Sequence, residues 1–185
     1  MNETLITILD RSTTRSFTEQ PLDDDQLAAL KNAALAAPTA RNRQENRFLF
    51  VTNKDLLERV NQKVLELLAA EDGQTSLNRM KERGARSVFY DAPLVVFIYS
   101  KASKYAYLNA GIAVQNLALA AHSLGLGSCI NGLCTDALKT DVPGNLAAEM
   151  GLEPDDHCHI AIAIGHIAQD KEPHSFDYSH CRDIE

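Results

Sequence analysis

The 185-residue sequence lacks long apolar runs, and its cysteines are few and scattered. No segment approaches the roughly eighteen uninterrupted apolar residues that a membrane-spanning helix needs. The start, Met1-Asn2-Glu3, has neither a basic region nor an apolar stretch behind it, so no secretory signal is expected. The four cysteines are Cys129, Cys134, Cys158 and Cys181, with no C-x-x-C pair among them. A chain of this length needs no disulfide staples, so reduced thiols in the cytoplasm are the expectation. Also missing are a G-x-S-x-G elbow, a P-loop and a G-x-G-x-x-G turn after a strand. Their absence withdraws support from a serine hydrolase, an NTPase and a Rossmann dehydrogenase. Positive charge is in deficit, with a net charge of −7. That disfavours nucleic acid or an anionic membrane as a partner but leaves room for a local basic pocket.

Metal-ligand spacing is lacking too. His157 and His159 are expected on one strand face with Cys158 on the other, and His180-Cys181 are adjacent near the end. None of these has finger or knuckle spacing, so no metal site is expected. Nothing places a thiol beside an imidazole, so no cysteine nucleophile is expected either.

What is present reads as one domain over residues 1–185. It is 45% hydrophobic and 23% charged, and long enough to bury a core. Leu5, Ile8 and Leu9 recur at helical spacing, which predicts a first helix over 3–10. Asp23 with Gln26 three residues on forms a capping box for a second helix, Ala-rich to Ala37 and stopped by Pro38. Residues 47–51 read as a strand. Asn53 caps a helix whose face is Leu56, Val60, Val64 and Leu67, ending near Gly73. Residues 71–87 are polar and read as a loop or weak helix. Arg79, Lys81, Arg83 and Arg86 form its solvated face, with Arg86 a candidate to point into a site.

Residues 93–99 are a continuous apolar run, expected as a central strand buried on both faces. The helix over 106–124 is apolar on nearly all sides, which places it in the interior or at a subunit interface. Its Gln115 and Asn116 are expected to have partners. A glycine-rich turn follows, then a strand over 128–133, a short helix over 143–150 closed by Gly151, and a buried strand over 157–164.

The chemistry starts at Arg11-Ser12-Thr13-Thr14-Arg15. Two guanidinium forks bracket three hydroxyls, a donor set that suits a phosphate, although a solvated polar loop has the same composition. The segment 38–44 is polar and irregular, with Asn42 and Gln44 able to address the edges of a flat ring. Asn131-Gly132 interrupts a strand where backbone can approach something planar without a Cβ clash, and where positive φ is tolerated. Together these can hold a phosphorylated planar cofactor.

In order, R-S-T-T-R-S-F, A-P-T-A-R-N-R-Q, L-G-L-G-S-C-I-N-G and I-A-I-G-H, spread over about residues 5–166, resemble the FMN-dependent nitroreductase family. The resemblance implies an α+β fold with a central mixed β-sheet flanked by helices, in an intertwined homodimer with FMN at its interface. It implies that Arg11, Ser12, Thr13 and Arg15 hold the FMN phosphate and ribityl chain. Pro38, Thr39, Ala40, Asn42 and Gln44 match the segment that covers the flavin from the partner subunit. Asn131 and Gly132 match the pair whose backbone faces the ring near N5. A basic residue near the C-terminus completes the clamp, with Arg182 the candidate and His180 the second. Reductant and acceptor are implied to be NAD(P)H and a nitroaromatic, quinone or similar small molecule. The chemistry then proceeds at flavin N5 with no catalytic side chain.

The sequence departs from the family pattern at Ala85 and Val88, where Asn and Lys are typical, and at Glu45, where many members have proline. The link before the long helix is also short. A flavin-binding sensor or store without turnover, and a specialised reduced-flavin enzyme such as a dehalogenase, are the alternatives.

Overall fold

The computed structural model describes residues 1–70 and 74–184. The 3.6-residue pattern of Leu5, Ile8 and Leu9 gives helix α1 (Glu3–Asp10), capped by the Asn2 side chain. Helix α2 (Asp24–Leu35) begins at the expected box, with Asp23 accepting from the Gln26 N–H and the Gln26 side chain returning to the Asp23 N–H. It closes one turn before Pro38. Strand β1 (Arg47–Val51) and helix α3 (Lys54–Ala70) follow, the latter capped by Asn53 as expected. The expected helix end near Gly73 lies outside the described residues.

Helix α4 (Gln74–Glu82) stands where a loop or weak helix was expected, because Met80 buries against α3 and supplies the anchor that local pattern lacks. Strand β2 (Leu94–Lys101), helix α5 (Ala106–Ser123), strand β3 (Leu126–Asn131) and strand β4 (Asp156–His166) complete the order. Strand β3 begins two residues earlier than the sequence suggests, because Gly125 at φ +73° ends the α5 turn at once.

Two expectations fail for local reasons. Residues 143–150 form successive turns rather than a helix. Gly144 sits at φ +67°, and the Asn145 side chain donates to the Thr140 and Val142 carbonyls while accepting from the Ala147 N–H. Such side-chain bonds compete with the helical ladder. Gln115 is exposed on α5, whereas Asn116 has its partner, the Ala33 carbonyl at 3.2 Å.

The strands run β1-β2-β4-β3 and every ladder between them is antiparallel. The expected mixed sheet is an antiparallel one, and the parallel pairing of Thr13 with Ser128 is an isolated bridge outside the four strands. Helices cover both faces. Leu94, Val96 and Ile98 of β2, with Ile162 and Ile164 of β4, pack on α2 and α5. Val95 and Phe97, with Ala161 and Ala163, pack on α3, α4 and the loops after β3. Residues 94–98 are all fully buried, which explains a continuous apolar run in an antiparallel strand. A bulge between Ile98/Tyr99 and Ile160/Cys158 breaks the alternation, so His157 is exposed and His159 buried rather than both on one face. On α3 the inward face is Leu57, Val60, Asn61 and Val64, turned from the expected one by Asn61, whose amide is bonded inside. Among the described residues no helix is long and apolar enough to cross a membrane.

Phe97 meets Phe89 edge-on at 5.8 Å between centroids, so Phe97→Ala should lower unfolding free energy by about 3–5 kcal/mol in a denaturant titration. His159 is 7% exposed and bonded to Ser100 Oγ at 2.8 Å, with Nδ1 unpartnered. Burial, aided by the charge of His157, holds its pKa below the usual 6.5. The unfolded chain therefore binds the proton first, and stability should fall as pH drops below about 6.5. His159→Gln should flatten that part of a stability-against-pH curve, and an unchanged slope would remove His159 as its cause.

Candidate functional site

The Arg11–Arg15 loop is fixed by the far edge of the sheet. The Thr14 N–H donates to the Ser128 carbonyl at 2.8 Å, the Thr18 N–H to His166 at 2.9 Å, and the Ala168 N–H to Ser16 at 3.0 Å. Gly127 and Gly165 face each other in the β3–β4 register, and together they leave the depression that this segment occupies. A Cβ on Gly127 would stand 2.5 Å from Thr14 Oγ1, and one on Gly165 would stand 2.6 Å from Pro93 and 3.1 Å from Phe17. Thr14 is thereby pressed onto the sheet at 4% exposure, and the alternation of extended backbone turns Thr13 and Arg15 the other way.

Thr13 and Arg15 turn into a cavity of ≈ 760 Å³, whose other cations are Arg83, Arg86 and Lys171. Among the described residues none of these four cations makes an ion pair, although Asp91 and Asp170 also line the cavity. Cys129 lies behind them: burial pushes its thiol up, while the charges of Arg15, Arg83 and Lys171 pull the other way. The wall over residues 85–91 is held from within. Asn61 Oδ1 accepts from the Val88 N–H at 3.0 Å, its Nδ2 reaches the Arg86 carbonyl, and Asn131 Nδ2 donates to the Val88 carbonyl. Tyr90 and Asp91, at φ +56°, complete that wall in a conformation side-chain-bearing residues rarely adopt.

The segment 38–44 lies elsewhere. It precedes β1, while the arginine loop runs beside β3. The two are thus separated by three strand spacings, roughly 14 Å. Thr39 and Gln44 line a different, more apolar cavity of ≈ 420 Å³ with Leu35 and Phe48, which shares no residue with the cationic one. Arg41, Asn42 and Gln44 all have φ above +50°. Their shape is fixed by Gln44 N–H to Thr39 Oγ1 at 2.8 Å and Ala40 N–H to Asn109 Oδ1 at 3.0 Å. Pro38, Asn42 and Gln44 are exposed, and Thr39 and Ala40 half-buried. Glu45 is engaged by Arg43 and Ser103, each at 3.2 Å.

Other expected residues take distinct places. Arg11 and Ser12 are half-buried at the end of α1, just before the lining residues. Neither Asn131 nor Gly132 adopts positive φ. A Cβ on Gly132 would meet only Ile160 at 3.7 Å, so packing within the chain does not demand glycine there. The demand falls instead on Gly127 and Gly165. Arg182 and His180 are exposed, and neither lines the cationic cavity; His180 faces Asp177 at 3.8 Å. The C-terminal cation that the fold brings to Arg15 is Lys171. Its one cue in the sequence was its closeness to the end of β4.

Burial raises the Cys134 thiol well above its ordinary range and Cys158 to about 12, so neither offers a thiolate. Among the described residues no group of three or more His, Cys, Asp or Glu is arranged to hold a metal.

Residues 8–166 match the model of the nitroreductase family. A crystal structure of a nitroreductase with bound FMN from Desulfitobacterium hafniense superposes with a TM-score of 0.93, is 32% identical, and each chain is covered fully. Another, from Bacteroides fragilis and also with bound FMN, gives 0.86 at 25% identity with the same full coverage. A protein from Vibrio harveyi named NADPH-flavin oxidoreductase is 28% identical over 93% of this chain and 69% of its own length. The chain spans about two thirds of the length of the curated relatives it matches, 66% and 69%.

Gly127→Ala should dislodge Thr14 and lower stability by about 1–3 kcal/mol, whereas Gly132→Ala should change it by less than about 0.5 kcal/mol. Parallel denaturant titrations check the pair, and equal effects would contradict the docking described above.

Proposed function

The chain belongs to the nitroreductase family, and from that premise we propose that it is an FMN-dependent oxidoreductase, drawing electrons from NAD(P)H and reducing an electrophilic small molecule such as a nitroaromatic or a quinone. The observation that carries this reading is the convergence of Arg15 and Lys171, neither in an ion pair among the described residues, with Thr13 on a ≈ 760 Å³ cavity, on a chain whose net charge is −7. Converging like charges repel, and an anion between them relieves the repulsion. A phosphate monoester fits this donor set of guanidiniums, hydroxyls and an ammonium.

When bound, FMN supplies the hydride chemistry that no side chain of this chain offers. Arg11, Ser12, Thr13 and Arg15 would hold its phosphate and ribityl chain. Lys171, rather than Arg182, completes that grip, because it lines the same cavity. Asn131 and Gly132 are assigned to the edge of the ring, with the Gly132 N–H as the donor toward N5. Pro38, Thr39, Ala40, Asn42 and Gln44 would cover the ring from a second copy of the chain, which explains why they sit at the opposite sheet edge from Arg15.

A homodimer is proposed on the same ground. Helix α1 buries no residue of its own and leaves Leu5, Ile6 and Ile8 exposed, with Ile6 beside Leu119 and Ala120 at the C-terminal end of α5, whose Tyr107 and Leu108 are exposed as well. A cytoplasmic location is proposed on the four free thiols.

Purified protein should be yellow or become so with added FMN, run as a dimer in light scattering, and bleach anaerobically with NADH or NADPH. A colourless protein that binds no added FMN overturns the reading, and binding without bleaching would make it a flavin store. Arg15→Ala and Lys171→Ala should each weaken FMN binding about tenfold or more, measured by flavin fluorescence. Arg182→Ala should leave it within about twofold.

A further inference from the structure

The cavity's four cations, which share its lining with Asp91 and Asp170, stand on two separate walls. Arg15 and Lys171 come from the N-terminal loop and the segment after β4. Arg83 and Arg86 come from a separate wall, the turn that ends α4. That turn is closed by the Gly84 N–H on the Lys81 carbonyl at 2.9 Å and the Ala85 N–H on Met80 at 3.0 Å, with Gly84 at φ +64°. Asn61, buried at 2% exposure, ties the Arg86 carbonyl and the Val88 N–H to α3. The backbone under Arg83 and Arg86 is therefore fixed, while both side chains are exposed and without an ion pair among the described residues. Complementing the α4 dipole accounts for one cation at its C-terminus. It does not account for two guanidiniums directed to a cavity that already contains Arg15 and Lys171.

We propose that Arg83 and Arg86 grip a phosphoryl group of the incoming nicotinamide dinucleotide, and so form the docking point for the reductant rather than part of the FMN clamp. This rests on the flavoenzyme reading above. A dinucleotide carries a charged pyrophosphate, and NADPH adds a 2′-phosphate dianion. Either matches paired guanidinium donors on an exposed, rigid rim. The rim position suits a molecule that must arrive and leave, and the local positive field counters the repulsion of anions by an acidic chain.

The test compares wild-type protein with Arg83→Ala/Arg86→Ala and Arg83→Lys/Arg86→Lys double variants. FMN affinity is measured on apoprotein by fluorescence. Apparent Kd values for NADPH and NADH are taken from the concentration dependence of anaerobic flavin bleaching. The alanine pair should raise the dinucleotide Kd about tenfold or more with FMN affinity unchanged, and the lysine pair should restore much of it. A rise for NADPH alone identifies the 2′-phosphate, and an equal rise for both identifies the pyrophosphate. Unchanged Kd values for both overturn the proposal. So does a parallel loss of FMN affinity, which would return both arginines to the flavin clamp. Failure of the wild type to bind FMN at all is a different result and overturns the parent reading instead.

Discussion

The arrangement depends on one contact: the Thr14 side chain lying on the bare backbone of Gly127. With the N–H bond from Thr14 to Ser128, that contact lays residues 13–18 against the last strand of the sheet and its continuation beyond β4. Every cation on the N-terminal side of the cavity is placed by it. An extended segment shows alternate side chains to opposite sides, so burying Thr14 obliges Thr13 and Arg15 to face outward. The same backbone pairing, through Ser16 and Ala168, draws the chain after β4 alongside and so brings Lys171 to Arg15.

The sheet that receives this loop is unusual for an antiparallel one in being covered on both sides. Large residues, Leu94, Val96, Ile98, Ile162 and Ile164, meet α2 and α5, while Ala161 and Ala163 make room for Phe97 on the α3 side. The division of labour between isoleucine and alanine along β4 sets the separation of the two helical layers. A sheet held this tightly is a stiff platform, and both parts of the candidate site are attached to its edges rather than its faces.

Those edges are far apart within one chain. The positive-φ segment at Arg41, Asn42 and Gln44 belongs to the β1 edge, and the cationic cavity to the β3 edge. Non-glycine residues in that conformation cost roughly 1–2 kcal/mol each. Here the cost is offset by fixed bonds to Thr39 and Asn109. The segment is thus a rigid shape offered at the surface. A second copy of the chain would give that shape something to cover, which is the physical sense of the proposed dimer.

Much of this was legible in local sequence. The Asp23/Gln26 box, the Asn53 cap, β1 over residues 47–51 and the apolar β2 are decided by neighbours a few residues apart, and they form where the pattern puts them. The hydroxyl-and-arginine composition of residues 11–15 was likewise visible in the chain. Tertiary structure alone decided which glycines matter, because Gly127 and Gly165 are demanded by Thr14, Phe17 and Pro93, residues remote in the chain. It also decided that Lys171 rather than Arg182 stands beside Arg15, that α4 becomes a helix through Met80, and that Arg83 and Arg86 share a cavity with the N-terminal loop. Capping and periodicity act over one or two turns and can be read from the chain. Which distant cations converge is set by strand order and backbone pairing, and those exist only once the sheet has formed.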